Sequence, residues 1–320
     1  GLDSQCWILK PNYLKYGFDH CIAAPSDGYL VTEIKRLFAL RYILQFDVIF
    51  FNFGSTLFRP LALRRRPGWS LKFYLGARAY MAYATVMQRL ELGLLRLLGR
   101  RIFVQYQGDD ARQGDYCLTH YAISPATEVD EHYYHPASDA HKRQQIKLFE
   151  KYCVRMYALN PDLLNLLPST ANFLPYSHIA LEDWPPSYSD GKSLRPLRVG
   201  HAPTHRGVKG TAHFMDALDR LRQRGYVFEL VLIERLSQEE AKALYQTLDL
   251  VLDQLFVGWY GGLAVEAMAL GKPVMAYIRE EDLRHIPAEM RESLPILRTS
   301  IHTLNEDLRN VISMSRFELC

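Results

Sequence analysis

VGWYGGLAVEAMALGKPV, residues Val257–Val274, opens on three glycines set around two aromatics and carries a single glutamate. LDLVLDQLF (Leu248–Phe256) precedes it and PVMAYI (Pro273–Ile278) follows, both apolar runs of strand length. The small-residue segment between them reads as a helix over Leu263–Leu270, stopped by Gly271 and Pro273. Strand, glycine loop, short helix and strand in that order make a parallel α/β unit with a right-handed crossover. The glycines lie where the first strand would end and the helix would begin. In open α/β sheets this is the end that meets ligands.

The same alternation extends outward in both directions. LRVGHAP (Leu197–Pro203) and FELVLIE (Phe228–Glu234) read as strands flanking a helix over Thr211–Arg224. Ser237 and Glu240 have the spacing of a capping box, as do Thr303 and Glu306 ahead of a last helix. In the first half, DVIFFNF (Asp47–Phe53), IFVQY (Ile102–Tyr106) and VRMYALN (Val154–Asn160) read as strands. Helices are expected over 79–98, ending at Gly99, and over 139–152. Asn160 and Pro161 have the look of an N-cap and first residue of a further helix, PDLLNLL. ALEDWPPSYSDGKSLRP (Ala180–Pro196) has no period and reads as a linker. The expected architecture is α/β, with two Rossmann-like domains facing a cleft: an acceptor-side domain over 1–179, the linker over 180–196 and a donor-side domain over 197–320.

Length and composition fit that plan. A chain of 320 residues, 48% hydrophobic and 23% charged, suits about two globular domains. Five scattered cysteines with no C-x-x-C spacing suggest neither a disulfide framework nor a zinc site, and point to a reducing, cytoplasmic setting. No apolar run reaches the roughly 18 residues that span a bilayer. Glu131, His132 and His135 are metal-ligand types, but this spacing outside a helix is the mark of a surface loop, and no metal is expected.

The net charge of +3 is unevenly spread. Ser55–Val104 holds ten Arg and Lys against one acid, Glu91, or +9, which leaves −6 for the remainder. RRRPGWSLKFYLGARAY (Arg64–Tyr80) interleaves these cations with aromatics. The segment reads either as a solvated helix face or as a surface for anionic lipid or a phosphorylated acceptor, peripheral at the inner face of the membrane. The overall charge is weak for nucleic acid, which is not expected as a partner.

Two loops carry the candidate chemistry. Gly261 and Gly262 allow a phosphate to approach the backbone at a helix N-terminus, where free N–H groups and the positive dipole end lie. Glu266, in the first turns of that helix, either accepts bonds from the vicinal hydroxyls of a ribose or caps its own helix. Arg206 and Lys209 in THRGVKG sit between a strand end and a helix start. They either hold a departing diphosphate or form a solvated basic turn. There is no G-x-x-x-x-G-K-[ST] and no G-x-G-x-x-G. In the first half, Asp109 and Asp110 either bind a sugar hydroxyl, or act as a base, or form a turn.

HAPTHRGVKGT (His201–Thr211) followed by DQLFVGWYGGLAVEAMALGKPV (Asp253–Val274) resembles the donor domain of a family-4 retaining glycosyltransferase of the GT-B fold. FDVIFFNFGSTLF, YQGDDARQGDYC and ALNPDLLNLLPSTANFLPYS agree more loosely with its first domain. The resemblance implies a nucleotide-sugar donor as substrate, retention of configuration, no cofactor and no obligatory metal. It implies that Arg206 and Lys209 hold the donor diphosphate and act in catalysis. Gly261, Gly262 and Glu266 would bind the donor, and Gly108 and Asp110 would lie on the acceptor side. The acceptor class it implies is a glycan, a lipid-linked sugar or a cell-envelope polysaccharide. The family's second glutamate, eight positions before Glu266, is Gly258 here. The resemblance also implies a first strand, turn and helix ahead of GLDSQCWIL and a long helix after SRFELC. Gly258 leaves open a degenerate nucleotide- or glycan-binding protein of the same fold, and a sugar-nucleotide epimerase is a further alternative.

Overall fold

The computed structural model describes residues 3–11, 17–64, 68–188, 195–314 and 318. Residues 65–67 of the basic segment, 189–194 of the expected linker and most of SRFELC lie outside them. In chain order the elements begin with β1 (Trp7–Ile8), β2 (His20–Cys21), α1 (Tyr29–Ile43), β3 (Val48–Asn52) and α2 (Leu71–Leu97). There follow β4 (Arg101–Tyr106), α3 (Gly114–His120), α4 (Pro136–Tyr152), β5 (Arg155–Ala158) and β6 (Asn172–Phe173). The second half holds β7 (Leu197–His201), α5 (Arg206–Lys209), α6 (Thr211–Gln223), β8 (Phe228–Leu232), α7 (Gln238–Tyr245) and β9 (Leu250–Leu252). It closes with α8 (Gly262–Ala269), β10 (Val274–Ala276), α9 (Ala288–Glu292), β11 (Ile296–Arg298) and α10 (Leu304–Ser313).

Mixed α/β structure with parallel sheets is what the alternation predicts and what the chain adopts. The first large sheet runs β3-β4-β5-β6 and the second β11-β10-β9-β7-β8, with every recorded pairing parallel. Along β4, Ile102, Val104 and Tyr106 point into the core while their neighbours do not, the period of a pleated strand. β9 and β10 are buried at every residue, as central parallel strands covered on both faces must be. Leu92 and Leu95 of α2 and Phe149 of α4 fill the first core. Phe214, Leu218 and Leu221 of α6 join Leu308 of α10 in the second.

The chain divides into two compact units, Gly1–Tyr116 with Tyr134–Leu174, and Cys117–Tyr133 with Pro175–Cys320. Residues 117–133, expected with the N-terminal half, thus belong to the second unit. Ile123 is part of the second core, and its carbonyl accepts from Arg279 Nη2 at 2.8 Å. Glu128 Oε2 lies 3.0 Å from His213 Nε2 of α6.

Several local readings change. α2 starts at Leu71, well before residue 79, because Ser70 Oγ accepts from Phe73 N at 3.2 Å and caps it. PDLLNLL makes only a 3₁₀ turn, Pro161–Asn165, and Asn160 does not cap it: its amide donates to the carbonyl of Gln107 instead. The Ser237–Glu240 capping box forms. The Thr303–Glu306 box does not, since Thr303 Oγ1 accepts from Ser300 N at 3.1 Å and caps nothing in α10. His135 of the histidine-bearing loop caps α4, its Nδ1 accepting from Ser138 N at 3.1 Å. Among the described residues no helix is long and apolar enough to cross a membrane.

Candidate functional site

In the second sheet the chain winds from β7 to β8 on one side, then returns through α7 to place β9 on the other side of β7. β7 and β9 therefore flank the topological switch point, where loops leave in opposite directions and a crevice opens. Their carboxyl ends are in register, with His201 opposite Leu252. After β7 comes the short helix α5, whose ends are Arg206 and Lys209; the loop after β9 carries Gly258 and Gly261, and Gly262 opens α8.

At that point Lys209 Nζ lies 2.8 Å from Asp253 Oδ1, and the Asp253 side chain is fully buried. The other carboxylate oxygen, Oδ2, accepts from Gly261 N at 2.5 Å. A Cβ on Gly261 would stand 2.9 Å from Lys209 Nζ, so the ammonium rests directly against the backbone that enters α8. Lysine charge and the N-terminus of α8 thus converge, with the Asp253 carboxylate joining them, an arrangement that can meet a phosphate.

Glu266 follows on the same helix and is buried. Its Oε1 accepts from Gln238 Nε2 at 3.1 Å and lies 3.5 Å from His178 Nε2. A Cβ on Gly262 would meet the His178 ring at 3.3 Å, which sets that imidazole beside the start of α8. Gly261 is the N-cap of α8 with no side-chain cap, and no backbone N–H of the helix donates to Glu266. Glu266 is therefore not a helix cap. Lys209, Gly261, Gly262 and Glu266 all lie at this junction, at or near the start of α8.

Arg206 is held elsewhere. Its Nε and Nη2 donate to Glu234 at 2.8 and 2.6 Å, an exposed two-pronged pair just past the end of β8. The guanidinium lowers the pKa of the Glu234 carboxyl below its ordinary value.

Gly258 has a conformation and a neighbour that exclude a side chain. Its φ is +84°, and a Cβ there would lie 2.6 Å from Arg279 Nη1. Arg279 is buried and fixed by Asp282 Oδ2 at 2.9 Å, by the Ile123 carbonyl and by the Tyr121 ring, 3.7 Å from its guanidinium carbon. Trp259 and Tyr260 belong to the core, their rings 4.5 Å apart. At the end of β7, His201 is buried with Nδ1 donating to the Leu252 carbonyl at 2.8 Å, which leaves Nε2 to accept from Thr211 Oγ1 at 2.9 Å. Burial pushes this imidazole down to about 4, so it is a neutral structural group.

In the first unit, Gly108 and Asp110 follow β4. Asp110 accepts from Gly108 N at 2.7 Å and Gln107 N at 3.0 Å, so its carboxylate closes the turn. Burial nonetheless moves its pKa upward. Asp109 accepts from Arg112 Nη1 at 3.0 Å and from the Tyr134 hydroxyl. Arg112 forks onto Asp162 at 2.8 and 3.2 Å, both residues buried.

Asp253, His178 and Gln238 were not singled out by sequence reasoning. Asp253 directly follows a strand, and the rule that drew attention to the neighbouring glycines applies equally to it. His178 and Gln238 carry no local signal.

No protein-family model matches this chain, and no curated protein matches its sequence. Among solved structures, the chain is similar to sucrose-phosphate synthase from Thermosynechococcus elongatus, at 11% identity and a TM-score of 0.48 over 98% of this chain and 92% of that one. It is also similar to an alpha-glucosyltransferase in complex with UDP and a 13-mer DNA containing a central A:G mismatch. That likeness has 8% identity and a TM-score of 0.48, over 89% and 78% of the two chains. A third, S. aureus TarM in complex with Fondaparinux, alpha-GlcNAc-glycerol and UDP, has 11% identity and a TM-score of 0.41 over 67% and 44%.

Proposed function

We propose that the protein is a glycosyltransferase of the hexosyltransferase type that takes a nucleotide-sugar donor at the switch point of the second unit and transfers the sugar with retention. The observation that carries this reading is the junction of Lys209, Asp253 and Gly261 at the start of α8, with buried Glu266 on the same helix. Glycosyl transfer through an oxocarbenium-like state releases a diphosphate, and stabilising that growing charge is the largest lever a protein has. Lys209 and the α8 N–H groups would receive it. Asp253 holds the ammonium in place beforehand. Glu266 would accept the ribose hydroxyls, since its Oε2 takes no hydrogen bond from another described residue. Arg206 would serve the diphosphate only after releasing Glu234. Gly108 and Asp110 would shape the acceptor side, Asp110 by fixing the turn.

The acceptor is a glycan, a lipid-linked sugar or a cell-envelope polysaccharide, and the basic segment 55–104 faces an anionic membrane surface. Arg279, packed against Gly258 where the resembled family has a glutamate, favours a second reading, a nucleotide-binding protein without turnover. The test is calorimetric titration with UDP, GDP, ADP and their sugars, followed by hydrolysis or transfer assays with the nucleotide sugar that binds. Binding with transfer supports the enzyme. Binding without consumption of the donor selects the second reading, and no binding of any nucleotide overturns both.

A further inference from the structure

α1 buries Ala39, Leu40 and Ile43 toward the first core, yet its opposite side is apolar as well. Its buried side carries an ion pair, Glu33 with Arg36 at 2.6 Å, both residues below a tenth exposed. Arg36 Nη1 and Glu33 Oε1 also meet the Tyr80 hydroxyl of α2 at 2.7 and 3.1 Å, and the Tyr29 and Tyr80 rings lie 4.8 Å apart. The two helices are thus joined through polar groups. Meanwhile Leu30, Ile34, Leu37, Phe38 and Tyr42 stand exposed at helical spacing on one side of α1, Leu30 at 75% and Phe38 at 62%. A helix of a globular protein normally presents polar residues on the side away from the core. In the first half of α2, Leu71, Phe73 and Leu75 are exposed as well.

Exposed charge on the same two helices has one sign. Glu33 and Glu91, the two acids in α1 and α2, are buried. Arg41, Lys72, Arg78, Arg89 and Arg96 are exposed. An apolar helical side on a helix pair whose exposed charges are all cationic matches the interfacial plane of an anionic bilayer. A second copy of the chain fits worse, because a two-fold interface would bring these like charges together.

We propose that α1, with the first half of α2, is a lipid-docking face that lays the apolar side of α1 into an anionic membrane surface. This rests on, and sharpens, the lipid-facing reading of residues 55–104: those cations attract the surface, and α1, outside that segment, enters it. The cations give a salt-sensitive step, since surface attraction is screened within about 8 Å at physiological ionic strength. The apolar side of α1 gives a salt-resistant one.

The experiment is co-sedimentation of the full chain with vesicles of about one third phosphatidylglycerol in phosphatidylcholine, and with phosphatidylcholine alone, at low and high salt. The wild type is expected to bind the anionic vesicles and retain part of that binding at high salt. The variant L30S/I34S/F38S should lose the retained part, a fall of roughly a hundredfold in partitioning. The variant K72S/R78S/R89S should lose its preference for the anionic vesicles. A Phe38→Trp chain supplies a readout free of folding losses: its added fluorescence should be quenched by lipids brominated on the acyl chains. If L30S/I34S/F38S binds like the wild type, or Trp at 38 is not quenched, α1 insertion is overturned while the reading of 55–104 stands. If the wild type does not bind, both fall. A lipid-free dimer that L30S/I34S/F38S converts to monomer would show that the face meets a second copy, and overturns the proposal as well.

Discussion

Lys209 and Asp253 are separated by 44 positions and meet at 2.8 Å because β7 and β9 are neighbours in the sheet. The pair is an ammonium and a fully buried carboxylate, and the same carboxylate holds the Gly261 N–H. A buried charge stripped of its partner is costly, whereas an apolar pair of similar volume is tolerated. Lys209→Ala should therefore lower stability by roughly 3–5 kcal/mol and abolish nucleotide binding. The double variant Lys209→Met with Asp253→Asn should recover most of the stability and none of the binding. Denaturant titrations and calorimetry with UDP, GDP and ADP separate the two effects. A single variant that melts like the wild type would show that the pair holds nothing together.

Glu266→Gln tests the ribose assignment without disturbing the helix. The amide keeps an oxygen for Gln238, so the melting curve should not move. Nucleotide affinity should fall by about 1.5–3 kcal/mol, the worth of a hydrogen bond to a charged group. Unchanged affinity in a calorimetric titration would leave Glu266 a purely structural partner of Gln238 and His178.

The same substitution should act with opposite sign at two glycines. Gly258 has φ +84° and Arg279 within 2.6 Å of a Cβ, so Gly258→Ala should cost about 1–3 kcal/mol in backbone strain alone. Gly76 lies inside α2 with nothing within 4 Å of a Cβ, so Gly76→Ala should stabilise by roughly 0.4–1 kcal/mol. Urea unfolding of the two variants beside the wild type reads both signs. Equal effects would mean that the Arg279 contact does not constrain the loop.

Two buried groups give the two units opposite pH responses. Glu91 is fully buried, accepts from Leu57 N at 3.1 Å and Phe58 N at 3.3 Å, and burial raises it to about 7. Its folded form holds a proton that the unfolded form has released above its ordinary value of 4.5. The first unit should lose stability as pH rises from 4.5 to 7. His201, pushed down to about 4 from 6.5, behaves in reverse. Its unfolded form takes up a proton that the folded form refuses, so the second unit should lose stability as pH falls from 6.5 to 4. Glu91→Gln should remove the first response and leave the second. Hydrogen exchange at pH 5 and pH 8, followed separately in α2 and α6, measures each. Parallel responses in the two helices would refute the assignment.

The second sheet was legible because its strands are short apolar runs with glycine-bearing loops at one end. Gly99 and Gly271 end their helices with φ of +69° and +72°, as their positions after an apolar stretch suggest. What local pattern could not give was pairing at a distance. Asp253 looks like any acid after a strand until β7 brings Lys209 to it. Glu91 counts as surface charge in the sequence and is a core residue in the fold. α1 escaped notice for a sharper reason: apolar residues lie on both of its sides, and the buried side adds an ion pair to Ala39, Leu40 and Ile43, so no single polar face marks it. The Thr303–Glu306 spacing misled because Ser300, a neighbour outside the motif, claims the threonine hydroxyl.

The passage of the chain between its units has a consequence for anyone who would take the molecule apart. It leaves the first unit after Tyr116, returns at Tyr134 and leaves again after Leu174. A fragment begun at Pro175 would lack Ile123, whose carbonyl receives Arg279 and whose side chain lies in the second core, and Glu128, the partner of His213. No single scissile position yields an intact second unit. Hybrids made by exchanging the first unit must graft residues 117–133 together with the second. On the ribosome that short segment emerges long before the sheet it belongs to, and must wait for β7 to β11 before it finds its place.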